Sequence, residues 1–274
     1  MTQTKRLPRE IEIALMREAS MSSMAIGTGL THIRQYDFAR YGFFYSGLLS
    51  FTAGIERLLK IILIYDYRLN NGDAFPNNKH LKALHHNLDT LIEKAREISK
   101  SQSLNLDDSF FDQDLLYRQI VPFLTDFAVQ ARYYNLDYLT GRKQSSTEPL
   151  SRWDKEICAE IINRHYRPNQ RKRELKSRLG KELDTFGFTV WHTHEDGSEI
   201  NSMTSLIMSG DLIPTKQKYS MYYLYTIARF LSNLCAELEY KGNFYPCLRE
   251  FFTIFRINDK RLILRTKIWN PKSP

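Results

Sequence analysis

The sequence is poor in the features that announce most chemistries. It holds three cysteines in 274 residues, Cys158, Cys235 and Cys247. They are too few and too scattered for a disulfide scaffold. None forms a Cys-x-x-Cys pair, which excludes a zinc ribbon and a thioredoxin-like site. A reducing, cytoplasmic setting is the expectation. There is no glycine-rich phosphate loop, no Gly-x-Ser-x-Gly elbow and no His-Glu-x-x-His, so the common signatures of nucleotide hydrolysis, serine hydrolysis and zinc proteolysis are missing. No apolar run approaches the ~18 residues that span a bilayer, and the nearest, Ile61 to Tyr65, follows Glu56, Arg57 and Lys60. The opening MTQTKRLPREIEIALMRE lacks the apolar core of a signal peptide. No membrane partner is expected. No internal repeat is evident, and the polar connector Gly141 to Pro149 is the best candidate boundary.

What is present describes an ordered chain with an uneven charge. Hydrophobic residues make up 42% and charged residues 26%, a balance that argues against wholesale disorder. Net charge is +8. Residues 1–150 hold 18 basic and 17 acidic side chains, whereas residues 151–274 hold 21 and 14. Two segments account for the excess. Arg164 to Arg178 carries seven basic residues against Glu174 alone, and Arg256 to Lys272 carries six against Asp259 alone. A concentrated positive field recruits polyanions, because each neutralised phosphate releases counterions. A solvated, salt-bridged helix face explains the same charge run about as well. His165, Tyr166 and Arg167 place planar groups among the cations, and such planes stack on bases.

Hydrophobic periodicity predicts a mainly α fold: four long helices in a bundle, with a small β element in the second half. Phe44, Leu48, Phe51, Ile55, Leu58, Ile62 and Tyr65 recur at spacings of four and three, which puts them on one stripe of a helix from about Tyr36 to Tyr67. Similar stripes predict helices over about His80 to Ser99, Asp112 to Leu139 and Tyr219 to Tyr240. Pro122 is expected to kink or break the third. A basic helix is predicted over Gln170 to Asp184. Alternation at Phe186, Phe188 and Val190, and again over Leu262 to Ile268, predicts two strands that could pair. The organisation expected is a bundle core over 1–140, a basic helical and β insertion over 141–215, and a fourth core helix with a terminal strand over 216–274.

The first 140 residues resemble the HEPN group, small helical bundles of prokaryotic toxins and defence systems. The matching residues are Gly54 to Lys60 (Gly-x-Glu-Arg-Leu-x-Lys), the step His86, Leu88, Leu91, and Arg132-Tyr133 near the end of the third helix. The resemblance implies an RNA-directed protein in antiviral defence or a toxin–antitoxin pair. The family's ribonucleases carry an arginine followed, after four to six residues, by a histidine. No histidine here has an arginine at that distance before it.

Three constellations are candidates for function. The first is the basic segment as a nucleic-acid surface: Arg164, His165, Arg167, Arg171, Lys172, Arg173, Lys176 and Arg178. The second is a metal-independent ribonuclease centre, in which His85 or His86, with Asp89 one turn on, supplies a general base while Arg132 and Asn135 hold a phosphate. Buried hydrogen bonds between helices explain those residues more simply. The third is His192-x-His194, whose two imidazoles share one face of a strand. Two ligands are not a metal site, so no metal and no cofactor is expected. Tyr222, Tyr223 and Tyr225 read as packing or a dimer surface, and an alternative function is a non-catalytic homodimer built through the heptad-like stripes.

Overall fold

The computed structural model describes residues 7–77, 79, 87–142, 147–188 and 190–271. The fold is mainly α with a small β element. The principal helices are α1 (Arg9–Ile33), α2 (Gly42–Asn70), α3 (Leu88–Ser101) and α4 (Leu115–Val129). Next comes α5, a helical run over 149–165 whose middle, Trp153–Cys158, is π-wound. Then come α6 (Gln170–Thr185), α7 (Met203–Gly210), α8 (Ile213–Gly242) and α9 (Lys260–Arg265). A 3-10 segment, Leu248–Phe255, joins the last two.

Helix α2 is the hub, packed against α1, α3, α4 and α8. Its predicted stripe is the core: Phe44, Leu48, Phe51, Ile55, Leu58, Ile62 and Tyr65 are all fully buried. Its closest partner, α1, is a helix that large-residue periodicity does not predict. The α1 stripe runs Leu15, Ala19, Ser22, Ile26, Gly29, Ile33, with the spacing of a helix but with half its members small. Small residues bring the two backbones together. A methyl group on Gly29 would lie 2.6 Å from Phe51 Cβ and 2.7 Å from its backbone nitrogen, and Ser22 Oγ donates to the Gly54 carbonyl at 2.8 Å. Elsewhere the core is large and aromatic. Trp153 of α5 meets Phe44 and Phe123 edge-on at 5.9 and 5.0 Å, and its indole N–H donates to Ser220 Oγ at 3.3 Å. Each such side chain contributes about 1.5–3 kcal/mol by leaving water.

Several expectations are corrected. The third helix passes through Pro122 and ends at Val129; the break falls at Gln130, and 131–139 is a 3-10 turn followed by the short helix Tyr134–Leu139. The segment 141–215 is not one insertion. Leu150, Trp153, Ile157, Cys158 and Ile161 lie in the same hydrophobic cluster as α2 and α8, so only the stretch after Tyr166 stands outside the core. Neither predicted strand forms as expected. The β element is instead a hairpin of β1 (His192–Thr193) and β2 (Glu199–Ile200), with His192 opposite Ile200 and Thr193 opposite Glu199. The Asp196-Gly197 turn closes it, and Gly197 supplies the positive φ of 86° that the turn requires. Lys260–Arg265 is helical because Asp259 caps it, its carboxylate accepting from Arg261 N at 2.8 Å. The chain then runs extended along α1, where Trp269 N donates to Thr31 Oγ1 at 2.8 Å.

Helices α6 and α7 form an arm. They pack chiefly on each other, meeting at Gly180, where a methyl group would lie 2.6 Å from Thr204 Cα. Asp184 fastens the pair by accepting from Met203 N at 2.6 Å and from the Thr204 hydroxyl at 2.7 Å. Gly180 is the one fully buried residue of either helix.

Candidate nucleic-acid interface

The basic segment divides into residues that hold the arm and residues that face solvent. Arg164 is committed internally. Its guanidinium donates to Asp114 at 2.7 Å and to Glu160 at 2.5 Å, and those carboxylates hold its pKa up, against the desolvation that lowers it. His165 lies flat on Tyr219, ring centroids 3.7 Å apart and planes 5° from parallel, with Nε2 3.0 Å from the Tyr223 hydroxyl. Tyr166 donates to Asp211, and Lys176 pairs with the same carboxylate. Arg173 also lies close enough to Asp211 to lower its pKa. The planar groups His165 and Tyr166, expected to meet bases, are thus turned inward. The free cations lie elsewhere: Arg171, Lys172 and Arg178 are exposed on α6 and form no ion pair among the described residues, and Lys181 joins them. Arg167 is exposed, its guanidinium returning to the Tyr166 carbonyl at 2.9 Å.

The second basic segment comes to the first. Lys260 sits 5.0 Å above the Tyr222 ring, and Tyr222 in turn contacts Tyr219 and Tyr223, the residues that hold His165. Burial depresses the His165 pKa to about 4, and Lys260, Arg164 and Arg167, in that order, add to the effect. The imidazole is therefore neutral at pH 7 and reports the positive field around it. Beyond Lys260, Arg261, Arg265 and Lys267 are exposed. The tyrosines themselves pack: Tyr225 is buried against Trp269 at 4.6 Å. The α8 stripe of Met221, Leu224, Ala228, Leu231, Cys235 and Leu238 is fully buried within one chain, so it presents no surface to a second copy.

Of the ribonuclease set, His85 and His86 lie outside the described residues. Arg132 is exposed, its guanidinium 5.0 Å over the Tyr133 ring, and it has no carboxylate partner among the described residues. Asn135 is exposed and faces a cleft of about 420 Å³ beside Tyr45, Glu148 and His194. There Tyr45 donates to Glu148, and burial followed by that carboxylate raises the phenol's pKa. His192 and His194 do not act as a pair. His192 meets Phe38 edge-on at 6.0 Å, while His194 Nδ1 lies 3.5 Å from Ser209 Oγ. No group of three His, Cys, Asp or Glu is arranged to hold a metal among the described residues, and no described helix is long and apolar enough to cross a membrane.

A buried ion triad ties the hairpin to the core. Lys216, in the first turn of α8, meets Asp154 at 2.5 Å and Glu195 at 3.3 Å, and the Glu195 side chain is 4% exposed. Below it, Cys158 Sγ lies 3.2 Å from the Tyr36 hydroxyl. Burial pushes the Cys158 thiol up to about 12, which makes it a packing group and not a nucleophile.

Sequence reasoning missed the exposed aromatic run after α6. Phe186, Phe188 and Trp191 stand in solvent, although the alternation of Phe186, Phe188 and Val190 reads as one side of a strand. Three large aromatic residues within six positions, directly after a cationic helix, were the available signal. No protein-family model, curated protein or solved structure matches the chain.

Proposed function

We propose that the chain is a nucleic-acid-binding protein, directed at RNA, that docks its target on α6 and the adjoining cations of the C-terminal segment. The observation that carries the reading is convergence. Two basic segments far apart in sequence meet at one aromatic cluster, Lys260 lying over Tyr222 and Tyr222 contacting the Tyr219 on which His165 stacks, while Arg171, Lys172 and Arg178 on α6 form no ion pair among the described residues. Internal pairing would have consumed this charge. Among the described residues it consumes Arg164 and Lys176 outright. The resemblance of the first 140 residues to HEPN bundles supports a setting in prokaryotic antiviral defence or a toxin–antitoxin pair. The ribonuclease alternative gains little from Arg132, which is exposed with no carboxylate partner among the described residues, and Asn135 shares its cleft with Tyr45, Glu148 and His194 and not with Arg132.

Salt tests the proposal. If roughly four phosphates are neutralised, the logarithm of affinity for single strands falls with the logarithm of salt at a slope of about −3. Affinity then drops about fiftyfold between roughly 50 and 200 mM salt. Reversing Arg171, Lys172 and Arg178 to glutamate abolishes binding at low salt with the fold intact. Salt-independent binding, or undiminished binding by the triple variant, defeats the proposal.

A further inference from the structure

Large aromatic side chains are rarely left in water. Here Trp191 is 88% exposed, Phe186 77% and Phe188 59%, although an adjacent core buries residues of the same kind. Trp191 also forms one wall of a cleft of about 640 Å³. Phe38 and Tyr41, from the loop between α1 and α2, line the same cleft, as do His192, Glu199 and Asn201. The volume falls in the range of small-molecule sites. Three of its lining side chains, Phe38, Tyr41 and Trp191, are large flat rings. Glu199 and Asn201 offer a carboxylate acceptor and an amide that both donates and accepts. That combination suits a planar heterocycle with a hydrogen-bonding edge. Phe186, Phe188 and Trp191 follow directly in sequence on α6, which ends at Thr185 and is roughly 24 Å long at 1.5 Å per residue.

We propose that this cleft takes an unpaired nucleobase and that Phe186 and Phe188 stack on its neighbours, so that the target is single-stranded. The inference rests on the nucleic-acid reading and deepens it. Paired bases in a duplex offer no free faces to these rings, whereas splayed single-stranded bases do. Charge on α6 holds the backbone, and the rings select strandedness.

Trp191 is its own reporter, because the other two tryptophans, Trp153 and Trp269, are buried. The probe is an oligouridylate of about twelve nucleotides, within the usual span of single-strand sites, with a duplex RNA of the same length beside it. The expected results are quenching of the red-shifted, acrylamide-accessible Trp191 emission by the single strand and much weaker binding of the duplex. Trp191→Ala weakens single-strand binding roughly ten- to a hundredfold, the usual size of one lost stacking contact. Phe186→Ala weakens it as well, and neither substitution moves the thermal midpoint, because both side chains are exposed. If the α6 charge reversal abolishes binding while both aromatic substitutions leave it unchanged, or if the duplex binds as tightly, the single-strand inference is wrong and the nucleic-acid reading survives. If neither RNA binds at low salt, both fall. Trp191 emission that shifts with protein concentration alone, or on anionic phosphatidylglycerol vesicles without RNA binding, assigns the rings to a second copy or to a lipid surface and overturns the inference.

Discussion

Replacing Gly29 by alanine puts a methyl group where the α1–α2 contact has no room. The new carbon would sit 2.6 Å from Phe51 Cβ, 2.7 Å from Phe51 N and 2.8 Å from the Gly47 carbonyl oxygen. Carbon atoms pack at about 3.5–4.0 Å, so the helices must part by roughly 1 Å. Two of the three obstacles are backbone atoms, which no rotamer change can move aside. Parting the helices also loosens Ile26, Leu30 and Ile33 against α2, and a gap of that size forfeits a quarter to a half of each dispersion contact. Overpacking a tight core costs about 1–3 kcal/mol, and this site belongs at the upper end. Alanine returns about 1 kcal/mol of helix propensity. The net expectation is a loss of about 2 kcal/mol, a fall in Tm of roughly 4–8 °C for a domain of this size. Gly42→Ala is the control. It is the same change in the first turn of α2, with nothing within 4 Å of the new carbon, and it is neutral or slightly stabilising. Differential scanning calorimetry of both variants decides. A Gly29→Ala protein that melts at or above the wild type would mean that α1 and α2 are not in backbone contact, and that the small residues of α1 have another explanation.

Further outcomes rest on buried charges and thiols. Lys216→Met strands Glu195 and Asp154 and costs about 3 kcal/mol or more, the usual penalty for breaking a buried ion pair from one side. Adding Glu195→Leu restores part of the loss, and chemical denaturation of the single and double variants measures it. The depressed pKa of His165, about 4 against 6.5, means that between those values the unfolded chain holds a proton that the native one refuses. The stabilisation is fully present above pH 6.5 and is lost as pH falls towards 4. His165→Phe, which keeps the stack on Tyr219, flattens the pH dependence of the urea midpoint in that window relative to wild type. Burial raises the Cys158 and Cys235 thiols, whereas Cys247 is only half-buried. Ellman's reagent therefore titrates one thiol in the native protein and three after unfolding.

Much of the fold was legible because large apolar residues at four–three spacing have one favourable solution, a helix with that stripe inward. The α2, α4 and α8 cores obey that rule. Helix α1 keeps the same spacing but fills it with Ala19, Ser22 and Gly29. Its small residues let the two backbones approach closely, and hydropathy does not register close approach. The misread tail shows the converse. Leu262, Leu264 and Ile268 alternate as a strand would, yet a strand needs a neighbouring edge, and none is offered there; Asp259 instead caps a short helix from which only Ile263 is buried. At the interface, the charge of α6 was legible as composition. Which cations remained free was not, because besides Glu160, one turn from Arg164, the acids that neutralise Arg164 and Lys176 are Asp114 and Asp211, distant in sequence. The same long-range pairing turned Tyr166 inward, and two of the aromatics left outside, Phe186 and Phe188, belong to an alternation that imitates a strand.

The arm of α6 and α7 is held by an interior glycine, by Asp184 at the start of α7, and by Asp211, which takes Tyr166 and Lys176; its outer cations take no part. Substitutions along its outer face therefore have little effect on whether the protein folds. The residues that choose a target can drift, or be redesigned, at a rate decoupled from those that keep the chain native, so a library randomised at 171, 172, 178, 181, 186, 188 and 191 should return folded members at nearly the parental frequency.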